Sequence, residues 1–265
     1  IGTLKLKDVR DLHLQTILNT QAGMSYSHVS KLRMVMQELF RQARRSRLII
    51  YDPAEGLLLP ESVKRSHRPI TKAERRHILA VAQNHPAGLW VLTILYTGLR
   101  PGETAALFWE DIDFDRNEIH VYKAVESGTR TIKAPKTPAG IRDIPMRQEL
   151  RERLLAVRGE GTAPVFPSAN GGIRSANSLR RLWNSFAHAL DLHMGAKVRD
   201  GPILQHAIAP GLTPYFLRHT LCNHLQRAGV PINAAKDLQG PAELHVTTKT
   251  YPHTHQTHLT NKHGK

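Results

Sequence analysis

Two arginines and a tyrosine, far apart in the sequence, have the side chains that cutting a phosphodiester requires. Arg100 follows a Thr-Gly-Leu turn, Arg218 lies in a predicted helix, and Tyr251 stands near the C-terminus. A guanidinium keeps its charge and binds two phosphate oxygens at once, and a phenol oxygen can attack the phosphorus. The residue types therefore predict strand-transfer chemistry. Surface ion pairs for the arginines and a core position for the tyrosine are the ordinary alternatives.

The charge of the chain agrees with a polyanionic partner. Its 265 residues include 37 Lys and Arg against 22 Asp and Glu, a net charge of +15, which favours nucleic acid over an anionic membrane. The longest apolar run, residues 89–96, is too short to span a membrane, and no signal peptide opens the chain. A single cysteine, Cys222, cannot form an internal disulfide and fits a cytoplasmic setting. Because the chain begins at Ile1 rather than methionine, we expect a missing N-terminal part.

Apolar spacing and charge predict a small N-terminal domain followed by a linker. Helical spacing over residues 8–20 and 25–48 indicates a small helical domain at 1–60, and the aperiodic, basic residues 61–70 indicate a linker. Residues 31–76 contain twelve Lys/Arg and five Asp/Glu, a net charge of +7 that fits a phosphate backbone or, equally, a solvated helix face. The predicted DNA contacts in this belt are Lys31, Arg41, Arg44, Arg45, Arg47, Lys64, Arg65 and Arg68.

The second predicted domain covers residues 71–265 and mixes helices with short strands. It opens with a Thr-x-x-Glu capping box at 71–74, and an apolar helix at 89–97 ends at Gly98, which suits a C-cap. Alternating apolar residues then predict antiparallel strands, before helices return. The fold class is therefore α+β. The predicted strands and later helices cover residues 108–114, 118–123, 129–134 and 140–144, then 147–158, 176–191, 213–228 and 232–239.

Several motifs, in order and spacing, resemble the tyrosine recombinases of phages and integrative mobile elements. The resemblance covers nearly the whole chain, since the first 60 residues are similar to the core-binding domain of that family. It implies an all-helical domain followed by a catalytic domain with a small antiparallel sheet. The motifs are Thr97-Gly98-Leu99-Arg100-Pro101-Gly102-Glu103, Pro135-Lys136-Thr137 with Arg142, Leu217-Arg218-His219-Thr220, Gly229-Val230-Pro231-Ile232 and Tyr251.

The resemblance also implies a role for each matched residue. Tyr251 attacks the phosphorus to give a 3′-phosphotyrosyl enzyme and a free 5′ hydroxyl, while Arg100 and Arg218 hold the non-bridging oxygens. Lys136 protonates the departing 5′ oxygen, with Lys133 as the near competitor and a DNA contact. Spacing alone favours an exposed strand or turn lysine for both, and the resemblance reverses this preference for Lys136. No cofactor is needed, because the phosphotyrosine keeps the bond energy for rejoining.

Two positions depart from the family pattern. Glu103 follows the pattern as a carboxylate that orients an arginine, but Tyr215 stands where the family usually has a histidine, and a phenol is a poorer base near neutral pH. Pro241 stands at the second histidine position and has no donor, so we expect that phosphate contact to be lost or replaced. His219, which we also assign to DNA contact, and His245 are candidate replacements, although structural histidines are the ordinary interpretation.

The resemblance implies double-stranded DNA with specific recombination sites as the partner, bound by a homotetramer, with an accessory directionality factor, at the bacterial nucleoid. Two other functions stay open: a degenerate homologue that binds DNA without cutting it, and a type IB topoisomerase acting as a monomer. Four histidines in the polar tail lack an ordered scaffold and do not predict a metal site. They are His253, His255, His258 and His263.

Overall fold

The chain divides into two compact units, residues 1–66 and 67–265. Each unit has an apolar core of its own. Among the described residues, no helix combines the length and the apolar character needed to cross a bilayer. The computed structural model describes residues 2–61, 68–126, 130–135 and 140–231, together with Ala234 and Leu238.

The first unit is helical where it is described. A short 3-10 turn precedes α1 (Asp11–Asn19) and α2 (Tyr26–Arg45). Ser25 caps α2, since its Oγ accepts the backbone N–H of His28 at 3.3 Å. One apolar stripe of each helix is buried. The core of the unit consists of Val9, Leu14, Leu18, Val29, Phe40, Ala43, Ile49, Ala54 and Leu57.

The first helix of the second unit has the predicted cap. Thr71 Oγ1 accepts the N–H of Glu74 at 3.1 Å and the carboxylate of Glu74 accepts the N–H of Thr71 at 2.6 Å, which confirms the capping box. Gly98 follows the buried α4 with φ of +67°, so the predicted C-cap is also confirmed. The helices are α3 (Lys72–Asn84), α4 (Gly88–Thr97), α5 (Pro101–Ala105), α6 (Gln148–Leu155), α7 (Ala176–His193) and α8 (Pro214–Arg227).

Short antiparallel strands complete this unit and confirm the α+β class. Strands β1, β2 and β5 form one sheet in the order β1-β2-β5, with Ile119 opposite Ile144 in the core. The hairpins β3–β4 and β6–β7 stand separately. The strands are β1 (Ile112–Asp113), β2 (Glu118–Val121), β3 (Ala124–Val125), β4 (Ile132–Lys133), β5 (Arg142–Pro145), β6 (Lys197–Val198) and β7 (Ile203–Gln205).

The prediction of a strand over 108–114 is wrong for most of its length, because residues 109–111 form a 3-10 turn. The carboxylate of Asp111 accepts the N–H of Phe108 at 2.8 Å, and the N–H of Trp109 bonds the carbonyl of Ala163 at 3.1 Å, so this backbone leaves the ladder. The pair β6–β7 was not predicted. The following predicted residues lie outside the described part of the chain: Lys64, Arg65, Lys136, Pro241, His245, Tyr251 and most of the helix at 232–239.

Candidate active site

Arg100 lies at the tight turn between α4 and α5. Apolar residues cover nearly every face of α4, so this helix is buried and its end is fixed. Gly98 then turns the chain, and Pro101 begins α5, which leaves Arg100 as the N-cap residue of that helix. Its side chain is 26% exposed. The turn therefore presents a charged group from a rigid apolar base.

Glu103 is a buried carboxylate held between two arginines. Its Oε1 accepts from Nη1 of Arg100 at 2.8 Å and Nη1 of Arg142 at 3.1 Å. Its Oε2 accepts from the backbone N–H of Arg100 and from Nη2 of Arg142, each at 2.8 Å. Burial alone would raise the pKa of Glu103, but the hydrogen bonds and charge of Arg142, with those of Arg100, outweigh burial and lower that pKa. Glu103 is therefore ionised at neutral pH.

Arg142 is the site residue to which sequence reasoning gave no role of its own. It lies on β5 opposite Val121, on the inward face of an alternating strand, and its side chain is only 4% exposed. The signal was available in principle: an inward-facing arginine in a strand needs a buried anion. The sequence predicted that Glu103 orients one arginine, whereas in the structure it binds two.

Arg218 meets the same turn from α8. Its guanidinium is fully buried, and Nη1 donates a hydrogen bond to the backbone carbonyl of Gly98, two residues before Arg100. On the same helix, Thr220 Oγ1 accepts the N–H of Ile70 at 2.9 Å, which ties α8 to the start of the unit. Both predicted phosphate-binding arginines thus converge on the end of α4, although 118 residues separate them in the sequence.

A cleft of about 1260 Å³ lies beside this turn and is lined from α5, the β3–β4 hairpin, α7 and the start of α8. Arg100, Glu103, Lys133 and Tyr215 all line it, so it brings four of the predicted residues together. Tyr215 is the second residue of α8 and is 45% exposed. The N-terminus of a helix favours an anion, because its free N–H groups and dipole point outward. Arg180 of α7 lines the same cleft.

Two lysines line the cleft, and both have acidic partners. Lys133 pairs with Glu126 across the β3–β4 hairpin at 2.7 Å, with both side chains largely exposed. Lys123, which sequence reasoning missed, binds the buried Asp111 at 2.9 Å and packs against the ring of Phe108. Burial lowers the pKa of Lys123, but the hydrogen bonds that its ammonium donates to Tyr122 and Asp111 outweigh burial and raise that pKa. Lys123 is therefore held as a structural cation.

The predicted DNA-contact residues of the first unit are exposed wherever they are described. Arg41 pairs with Glu38 at 2.5 Å and Arg44 approaches Glu55 at 3.9 Å, both at the surface, where such pairs contribute little to stability. The other exposed members of this set are Lys31, Arg45 and Arg47.

The remaining two predicted contacts lie in the second unit. Arg68 forms a fork with Glu74 at 2.8 and 2.6 Å, and this hydrogen bonding lowers the pKa of Glu74 to about 2. Because the fork occupies its guanidinium, Arg68 is less available to a phosphate than the sequence suggested. His219 is half-buried on α8, next to Arg218.

A model of the phage integrase family matches residues 68–258, which include every residue of the site just described. The chain belongs to the phage integrase family. This integrase-family chain is 23% identical over 277 residues to a tyrosine recombinase XerC-like protein of Caldanaerobacter subterraneus, covering 97% of the chain and 71% of that protein. Prophage integrase IntR of Escherichia coli is 29% identical over 143 residues, which is 54% of the chain but 34% of IntR. The chain likewise spans 41% of the Tn916 transposase of Enterococcus faecalis.

Solved structures similar to this family member include integrases bound to DNA. The Tn1549 transposon integrase in complex with a circular intermediate DNA has a TM-score of 0.75 and 21% identity, covering 94% of this chain and 82% of that one. A lambda integrase dimer bound to a COC′ core site has a TM-score of 0.60 and 18% identity, covering 90% and 81%. These likenesses show that the chain has the fold of the integrases.

Proposed function

We propose that this chain is a site-specific DNA recombinase that cuts and rejoins duplex DNA to integrate and excise a mobile element. The observation that carries the proposal is the convergence of Arg100 and Arg218 on one turn, beside a cleft that Tyr215 also lines. Relatives named as a tyrosine recombinase and as the transposase of a transposon support it. We place the partner DNA at specific recombination sites in the bacterial nucleoid, with a homotetramer and a directionality factor completing the assembly.

In the proposed reaction, the cleft holds the scissile phosphate against the turn. Glu103 fixes one Nη of Arg100; within the described residues, Nε and Nη2 of Arg100 donate to no protein acceptor and remain for phosphate oxygens. Arg218 is fully buried in this state, so DNA binding must open a path to it. Tyr215, at the start of α8, donates a hydrogen bond from its hydroxyl to a phosphate oxygen and so helps the arginines stabilise the charge of the transition state.

The covalent step belongs to Tyr251 by the family resemblance. Its phenol gives up its proton to water as its oxygen forms a bond to the phosphorus. The bond from phosphorus to the 5′ oxygen breaks, and Lys136 gives that oxygen a proton. The 3′-phosphotyrosine keeps the energy of the broken bond, so a 5′ hydroxyl from another strand can reverse the step. Neither a metal nor a nucleotide is required for this sequence.

A nicked suicide duplex tests the proposal. We would incubate the protein with duplexes made from the ends of the element that encodes it, with a nick beside each candidate phosphate. Cleavage then releases the short fragment that carries the free 5′ hydroxyl, and the adduct on the 3′ side is trapped. The expected result is a DNA-protein band that survives denaturing gel electrophoresis and is absent for Tyr251→Phe. No band, or a band that persists in the variant, contradicts the proposal.

A DNA-binding protein without cleavage activity is the second candidate, and Tyr215 and Pro241 favour it because they replace two histidines of the family pattern. Specific retardation of the same duplexes without any adduct would support that function. Relaxation of a supercoiled plasmid that lacks the element ends would instead indicate a topoisomerase.

A further inference from the structure

Arg142 joins three separate parts of the second unit through its guanidinium. Nη1 and Nη2 bind the two oxygens of Glu103, at 3.1 and 2.8 Å. Nε donates to the backbone carbonyl of Leu238 at 2.9 Å, and Nη1 also reaches the carbonyl of Gly140 at 3.3 Å. Four of its five N–H groups therefore have protein acceptors.

Burial separates this arginine from the substrate. The side chain of Arg142 is 4% exposed and that of Glu103 is 8% exposed, whereas Arg100 is 26% exposed and lines the cleft. With four of its five donors occupied and a side chain only 4% exposed, Arg142 is poorly placed to contact a DNA phosphate. A buried ion pair adds little stability compared with an apolar pair of the same size. The fork that Arg142 forms with Glu103 therefore serves mainly to fix the positions of the two side chains.

The contact with Leu238 connects this fork to the segment that leads to the nucleophile. Leu238 stands thirteen residues before Tyr251 and three before Pro241, in the Leu-x-Gly motif whose usual histidine is missing. Where the family pattern would place a histidine side chain, this chain has none, but the carbonyl of Leu238 is held from the side of β5.

We propose that Arg142 is a positioning residue for strand cleavage: it holds Glu103, and through it Arg100, at a fixed separation from the segment at Leu238. The inference rests on the proposed function. It assigns no DNA contact to Arg142; the residue acts through Glu103 and the backbone. A displacement of about 1 Å in such a site lowers a reaction rate by roughly 10²-fold, which sets the expected size of the effect.

The test compares Arg142→Gln and Arg142→Lys with Arg151→Gln on the nicked duplexes. Arg151 is a matched control, since it is also partly buried and donates to a backbone carbonyl, that of Phe114 at 3.2 Å, away from the cleft. For each protein we would measure DNA affinity by gel retardation and the adduct-forming rate at saturating protein. We expect Arg142→Gln to bind DNA as the wild type does and to cleave about 10²-fold more slowly.

The variants separate positioning from charge. Lysine keeps the charge but cannot bind both oxygens of Glu103, so Arg142→Lys should cleave at an intermediate rate. Because Glu103 and Arg142 act as one unit, adding Arg142→Gln to Glu103→Gln should slow cleavage little beyond Glu103→Gln alone. Wild-type cleavage by Arg142→Gln, a loss no larger than that of Arg151→Gln, a parallel loss of DNA affinity, or additive effects in the double variant would each overturn the inference.

A separate measurement keeps this result distinct from failure of the proposed function. If the wild type forms no adduct at all, the proposed function fails. Hydrogen exchange then tests separately whether Arg142 positions the segment at Leu238. Faster amide exchange in the peptide that contains Leu238, in Arg142→Gln but not in Arg151→Gln, supports the positioning role. Unchanged exchange in that peptide overturns it.

Discussion

Replacing Glu103 by glutamine should cost the second unit a large part of its stability. Glutamine has nearly the same shape, so its carbonyl oxygen can keep one of the two oxygen positions, each of which accepts two hydrogen bonds. At the other position, the N–H groups of the glutamine amide would face the N–H groups of Arg100 and Arg142. Two hydrogen bonds to charged groups are lost, at about 1.5–3 kcal/mol each, and Arg142 stays buried without a counter-charge. Breaking such a pair typically costs about 3–5 kcal/mol, which is the change we expect in the free energy of unfolding.

Urea denaturation followed by tryptophan fluorescence measures this change in the correct unit. All three tryptophans lie in the second unit, so their emission reports the unfolding of that unit and not of the first. They are Trp90, Trp109 and Trp183. Glu149→Gln is the matched control, because Glu149 is exposed and accepts one hydrogen bond, from the hydroxyl of Tyr96 at 2.9 Å. Glutamine can accept the same bond, so the control should lose less than about 0.5 kcal/mol.

The same comparison has a defined pH dependence. The folded-state pKa of Glu103 lies below its ordinary value of 4.5, so the unfolded state binds more protons in acid. The stability that Glu103 contributes is therefore complete above that ordinary value and is lost as the pH falls through the lowered folded-state pKa. The gap between wild type and Glu103→Gln should be constant from about pH 6 to 8 and should shrink in acid. A gap below about 1 kcal/mol, or one that does not shrink by pH 3, would refute the buried fork.

Two further pairs of variants test packing and proton transfer. Gly88→Ala should destabilise the second unit by about 1–3 kcal/mol or more, because the new Cβ would stand 2.0 Å from the carbonyl oxygen of Ala82. The added Cβ of Gly56→Ala meets nothing within 4 Å, so this control should be neutral. Thermal melting of both variants checks the difference. Lys136→Met should slow adduct formation by about 10²–10⁴-fold as the loss of a general acid, while Lys133→Met should have a small effect, and equal losses on nicked DNA would refute the assignment.

The features that the sequence predicted correctly depend on neighbours a few residues away. The Thr71–Glu74 box and Gly98 each satisfy backbone groups of their own helix end, so residue type and spacing are enough to place them. The α+β class followed from the change of apolar period after the buried α4. These features could be predicted because each depends on residues that are close together in the sequence.

The features that the sequence could not predict depend on residues distant in the chain. Phe108 begins a turn rather than a strand, because Asp111 caps it and Trp109 bonds the backbone at Ala163. Likewise, the choice of Arg142 as a partner for Glu103 follows from the register of β5 against β2, which sets the inward face. A pattern of residue types contains no record of that pairing.

The covalent attachment of DNA to Tyr251 is the central claim, and mass spectrometry of the trapped adduct tests it most directly. Cleavage after lysine releases residues 250–262, a peptide with one tyrosine. After nuclease digestion, we predict that this peptide from the wild type gains the mass of a 3′-linked nucleotide on Tyr251 and that Tyr251→Phe gains none. The same mass on the peptide that contains Tyr215, or on no peptide while DNA is cut, would contradict the account.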